Sequence, residues 1–63
     1  MKVSELKRLI SKRGCRFVKN GGNHDEWENK KTGQKTTIPR HNAHEIGTGL
    51  VQQILKDLGL KKP

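Results

Sequence analysis

Two polar, glycine-bearing clusters constrain this chain more than anything else in it: Gly21-Gly22-Asn23 and Lys30-Lys31-Thr32-Gly33. Both are turn chemistry. Glycine supplies positive φ without a steric cost, and asparagine bonds its local backbone. They divide the middle of the chain into three segments, 15–20, 24–29 and 34–38, which read as short strands. Pro39 follows the third and ends it, because proline has no N–H for a strand ladder.

The turns also set the registers. If Asn20 faces His24, then Phe17 faces Trp27 and Arg16 faces Glu28; if Asn29 faces Gln34, then Trp27 faces Thr36 and Glu28 faces Lys35. Aromatic and opposite-charge pairs each favour this register by about 0.2–1 kcal/mol. A slip by one residue would turn Glu28 towards the core. One face then holds Cys15, Phe17, Trp27, Thr36 and Ile38, and the other a row of alternating charge, Arg16, Glu28 and Lys35. Trp27 pairs with Phe17 towards the core, so the chain lacks the stacking platform of single-strand readers. His24 falls on the charged, open face, near Pro39 and Arg40.

Helical spacing flanks the strands on both sides. Ser4 is expected to cap a helix beginning at Glu5, with Leu6, Leu9 and Ile10 on its buried face. Lys7, Arg8, Lys12 and Arg13 lie elsewhere on its surface; the last two suit the C-terminal dipole, and Gly14 stops the helix. Residues 40–47 read as a loop. A second helix is expected over 48–58, with a stripe of Val51, Ile54, Leu55 and Leu58. Gly59 ends it, with Leu60 folded back as in a Schellman motif. The order is α-β-β-β-α, an α+β fold whose three-stranded antiparallel sheet carries both helices on one face. A double-stranded-RNA-binding domain has this order, a likeness of fold that does not by itself give function.

A chain of 63 residues suits one domain, 1–63, near the lower size limit for folding alone. Only 29% of it is hydrophobic, so a partner or a second copy is an admissible source of stability, and the oligomeric state stays open, a monomer included. The net charge of +8 points to a polyanionic partner, nucleic acid before membrane. No apolar run reaches membrane-spanning length and no signal-peptide core follows the basic start, so a cytoplasmic protein is expected. Cys15 is alone, and so makes neither an internal disulfide nor a zinc-binding pair; it reads as a reduced, buried thiol.

The chemistry-bearing residue is His24. Histidine titrates near neutral pH, as a general acid or base must, and the basic surroundings suit a substrate made of phosphates. Glycines beside it permit close approach to a nucleic-acid backbone. RNA supplies its own nucleophile, the 2′-hydroxyl, so cleavage needs only proton transfer and charge stabilisation, and neither cofactor nor metal is expected. Taken without further context, a histidine after a turn is a surface residue.

Several segments change that context. Arg13-Gly14-Cys15-Arg16-Phe17, Gly22-Asn23-His24, Ile38-Pro39-Arg40-His41 and Glu45-Ile46-Gly47-Thr48-Gly49-Leu50-Val51, with the helix ending Leu58-Gly59-Leu60, occur in an order that resembles the HicA toxins of toxin–antitoxin systems. The resemblance covers nearly the full length. It departs in Asn23, where many members have serine, and in Asp25-Glu26, where members often carry another histidine or apolar residues. It implies an mRNA interferase that cleaves mRNA and blocks translation, neutralised by a HicB-type antitoxin. It places His24 at the position of the family's catalytic histidine.

A second proton-transfer group is not named by the sequence; His41 and His44 are candidates, and the register favours His41. Gly22, Asn23 and His41, with the cations Arg16, Lys19, Lys35 and Arg40 on or beside the open face, are the expected substrate-binding residues. Arg16 and Lys35 have Glu28 as an alternative partner. Zinc held by His24, His41 and His44 is conceivable in kind, but nothing fixes their convergence. A non-catalytic RNA-binding module of the same fold is the main alternative, ahead of a DNA-binding accessory protein, for which no helix-turn-helix pattern is present.

Overall fold

A computed structural model of the chain describes residues 1–60, so the end of the expected 1–63 unit lies outside the described residues. The order is α1 (Val3–Lys12), β1 (Cys15–Gly21), β2 (His24–Asn29), β3 (Lys35–Pro39) and α2 (Thr48–Asp57). The strands form one antiparallel sheet in the order β1-β2-β3. The α-β-β-β-α order is as expected and is compatible with the double-stranded-RNA-binding likeness.

Side-chain alternation divides the sheet. Along β2, Asp25, Trp27 and Asn29 are buried, while His24, Glu26 and Glu28 alternate with them on the other face. Along β3, Thr36 and Ile38 are buried. Val3, Leu6 and Ile10 of α1, and Val51, Ile54, Leu55 and the capping Leu58 of α2, close over Cys15, Trp27, Ile38 and Ile46. Leu9 packs only partly against this core, and Val3, one turn before Leu6, is fully buried instead.

The register from Cys15 to Phe17 is the expected one, with Arg16 opposite Glu28 and Phe17 opposite Trp27; Trp27 faces Thr36 and Glu28 faces Lys35 across β2–β3. Beyond Phe17 the expected pairing of Asn20 with His24 is replaced. The register shifts between Phe17 and Lys19, so that Lys19 faces Glu26, Asn20 faces Asp25 and Gly21 faces His24. Val18 is the extra residue of a bulge, which changes the face that later side chains occupy. The turn is thereby reduced to Gly22-Asn23, with Gly22 at φ +66°, as a two-residue hairpin with glycine first requires. Pro39 is the last residue of β3 rather than the first beyond it, and sits opposite His24. Phe17 touches Trp27 edge-on at 6.2 Å between ring centroids, but lies on an outer strand and stays 47% exposed.

Ser4 is not the cap of α1. The helix starts at Val3, with Lys2 at the cap position in extended conformation. Its free N–H groups are met from far along the chain: Val3 N–H donates to the His44 carbonyl at 2.9 Å and Ser4 N–H to that of Asn42 at 3.1 Å. The Glu5 carboxylate accepts from the Lys2 N–H at 2.9 Å. Ile46 N–H donates to the Met1 carbonyl at 2.8 Å, and the Met1 ammonium pairs with Glu45, which holds that carboxyl below its usual range. At the far end of α2, Leu60 N–H reaches the Leu55 carbonyl at 2.8 Å and Gly59 N–H that of Lys56 at 3.0 Å, the Schellman pattern expected there.

Candidate nucleic-acid interface

His24 is the first residue of β2, exposed, on the face of the sheet away from the helices. The Gly22-Asn23 turn precedes it, and Gly21 and Pro39 flank it across the two ladders. With no bulky neighbour opposite on either side, the imidazole stands at an open end of the sheet. Pairing with Pro39 puts the loop after β3 at the same end. The Arg40 N–H donates to the Asn23 carbonyl at 3.3 Å, tying that loop to the first turn.

Three of the four expected cations share the open face. Arg16 sits opposite Glu28 and donates to its Oε1 through Nε and Nη2, at 3.1 and 3.0 Å. Lys35 lies opposite Glu28 on the other ladder, and both Lys35 and Lys19 are exposed. Lys19 reaches this face only because of the Val18 bulge; in an unbroken register it would face Asp25 on the helix side. The same bulge puts Lys19 one row from His24, opposite Glu26.

Arg40 behaves differently. Its Nε lies 3.6 Å from Asp25 Oδ1, and Asp25 is in the buried row of β2. The guanidinium thus leans to the helix side of the sheet end, although Arg40 remains 45% exposed in its side chain. His41 follows it, exposed, at the start of a tight turn in which the His44 N–H donates to the His41 carbonyl at 3.0 Å. Among the described residues no group of three or more His, Cys, Asp or Glu side chains is placed to hold a metal ion. No helix among them is long and apolar enough to cross a membrane.

Sequence reasoning passed over Asp25 as a mere family departure. The structure buries it and surrounds it with Lys7 and Arg40. Strand parity was the signal available: Asp25 shares its parity with Trp27, not with His24. Cys15 is buried, as expected of it, and burial pushes its thiol up from its ordinary value.

Residues 3–60 match the family model described as the HicA toxin of bacterial toxin–antitoxin systems. The chain belongs to this family of small bacterial toxins. It is 39% identical over 61 residues to a protein of Pseudomonas fluorescens (strain Pf0-1) named "Probable mRNA interferase HicA", the alignment covering 97% of this chain and 98% of that protein.

Proposed function

We propose that this chain is a single toxin domain, 1–63, that cleaves mRNA and so blocks translation, and that His24 carries the proton transfer. The observation that carries the reading is the end-to-end similarity to a protein named as an mRNA interferase. The exposed position of His24 at an open sheet end, beside a close-approach glycine turn, supports its assignment.

The reaction proceeds by transfer within the RNA. A base takes the proton of a 2′-hydroxyl, the oxygen bonds to the adjacent phosphorus, and the bond from phosphorus to the 5′-oxygen breaks. The leaving oxygen takes up a proton. The products carry 2′,3′-cyclic phosphate and 5′-hydroxyl ends. His24 serves as the base or as the acid for the leaving oxygen, and His41 is the candidate for the opposite role. Arg16, Lys19 and Lys35 guide the phosphates along the open face, and Gly22 and Asn23 admit the backbone at its end. Arg40 is available to the phosphorane charge if it leaves Asp25. A HicB-type antitoxin is the expected neutralising partner, and the cytoplasm, where mRNA is translated, the expected site of action.

Replacing His24 by alanine should relieve growth arrest on expression and lower cleavage of a defined RNA by about 10²–10⁴-fold, with the circular dichroism spectrum unchanged. Cleavage should persist with a chelator present. Undiminished toxicity of the folded variant would remove His24 from the chemistry; intact RNA retained by the wild-type protein would instead favour a non-catalytic RNA-binding module.

A further inference from the structure

We infer that Asp25 is a positioning residue: through Arg40 and Lys7 it pins both neighbours of His41 to the end of the sheet that carries His24. The inference rests on the reading of His41 as the partner of His24 in RNA cleavage.

The Asp25 side chain is only 8% exposed. A carboxylate so placed is costly to bury without cationic company. It has two cations, from different parts of the chain. Lys7 Nζ of α1 lies 3.5 Å from Oδ2, and Arg40 Nε, just past β3, lies 3.6 Å from Oδ1. Lys7 Nζ also donates to Asn42 Oδ1 at 2.9 Å. Arg40 and Asn42 are the residues on either side of His41. One is held by the carboxylate directly, the other through Lys7.

The backbone follows the side chains. Arg40 N–H is bonded to Asn23, the residue before His24, and the Asn42 carbonyl accepts from Ser4 N–H at the start of α1. The main chain is therefore held on both sides of His41, by the residue before His24 on one side and by the start of α1 on the other. The His41 side chain itself remains exposed and able to meet a substrate.

Stability alone does not account for this arrangement. An ion pair on a buried carboxylate generally contributes no more than well-packed apolar side chains of the same volume. Here the geometry is not even optimal for stability. Asp25 Oδ1 is buried without a hydrogen-bond partner, since Arg40 stands just beyond bonding distance. A cost of that kind beside a reactive histidine is the mark of a group kept for placement.

The test is a double-mutant cycle on a short RNA under steady-state conditions. Asp25→Asn keeps the shape and removes the charge, and Asn42→Ala cuts the Lys7 link at an exposed site that cannot unfold the core. Each is expected to lower kcat by about 10–100-fold while KM stays within about twofold, the pattern of misplacement rather than lost binding. On a His41→Ala background, neither should cost anything further. Losses that multiply in the double variants, or an effect on KM alone, overturn the inference. A second measurement separates it from the assignment of activity. In NMR spectra of Asp25→Asn without RNA, the amide signals of residues 40–45 should shift and lose exchange protection while those of α2 hold. Unchanged loop signals overturn the pinning whether or not the wild-type protein cleaves RNA. Loss of RNA cleavage in the wild type with the loop signals shifted leaves the pinning standing and removes the activity.

Discussion

Asn29 and Asp25 occupy the same buried row of β2 and meet the cost of burial in opposite ways. Asn29 is satisfied: its Nδ2 donates to the Leu58 carbonyl at 2.7 Å, and its Oδ1 accepts from Lys31 N–H at 2.9 Å. It thus locks the second turn and the end of α2 with one side chain. Asp25 is left with an oxygen that has no hydrogen-bond partner. Cys15, a third group in the core, is a neutral thiol whose ionisation burial opposes, raising it above the ordinary 9.0. Between the ordinary value and the raised one, the unfolded chain has lost this proton while the folded chain keeps it. Stability therefore falls as pH rises through that window, and the contribution is complete only below it. Urea midpoints at neutral pH and at about pH 10 should accordingly drop further for the wild type than for Cys15→Ala, whose cavity cost is the same at both. Equal drops would show that the thiol titrates normally. At this scale the sequence was only half legible. The burial of Cys15 and the position of His24 followed from alternation and turn chemistry. The partners of Asp25 did not, since Lys7, Arg40 and Asn42 come together only through tertiary packing.

Turns and helix ends behaved as local chemistry dictates wherever the chemistry is local. The Schellman end of α2 is written in Leu58-Gly59-Leu60, and the structure realises it with Gly59 at φ +71°. A β-carbon at Gly59 would also meet the Gln34 side chain, which must then turn away. Gly59→Ala should therefore cost about 1–2 kcal/mol in urea unfolding, with an unchanged m-value. The start of α1 departs from its local chemistry for a corresponding reason. Ser4 is a good cap by type, but the groups that serve the helix are carbonyls of residues 42 and 44, invisible to any local pattern. The Val18 bulge was equally hidden, because a valine fits either side of a pleated strand and an inserted residue leaves no mark in composition. The charge row Arg16–Glu28–Lys35 was legible all the same, because one residue too many in the expected first turn offsets the bulge beyond it, and the β2–β3 ladder has no shift.

The sheet separates its two faces: apolar packing under the helices, and Arg16, Lys19, Lys35 and His24 on the other side. Grip on RNA should then be mainly electrostatic. Three to four phosphates met by Arg16, Lys19 and Lys35, with Arg40 as a fourth, give an expected slope of about −2 to −3 for the logarithm of affinity against the logarithm of salt. Fluorescence anisotropy with a labelled RNA and the His24→Ala variant would measure it on uncut substrate; a slope near zero would place the contacts elsewhere. The overall arrangement of helices and sheet was legible from periodicity and turns, whereas the division of Arg40 from the other cations was not, since it depends on a buried carboxylate. One feature at this scale reaches into synthesis. Because the first turn of α1 borrows its acceptors from residues 42 and 44, the beginning of the chain cannot settle until its latter half has left the ribosome. The same closure seats Arg40, His41 and Asn42. The loop beside His24 is thus completed only by a late, long-range docking of the two halves of the chain.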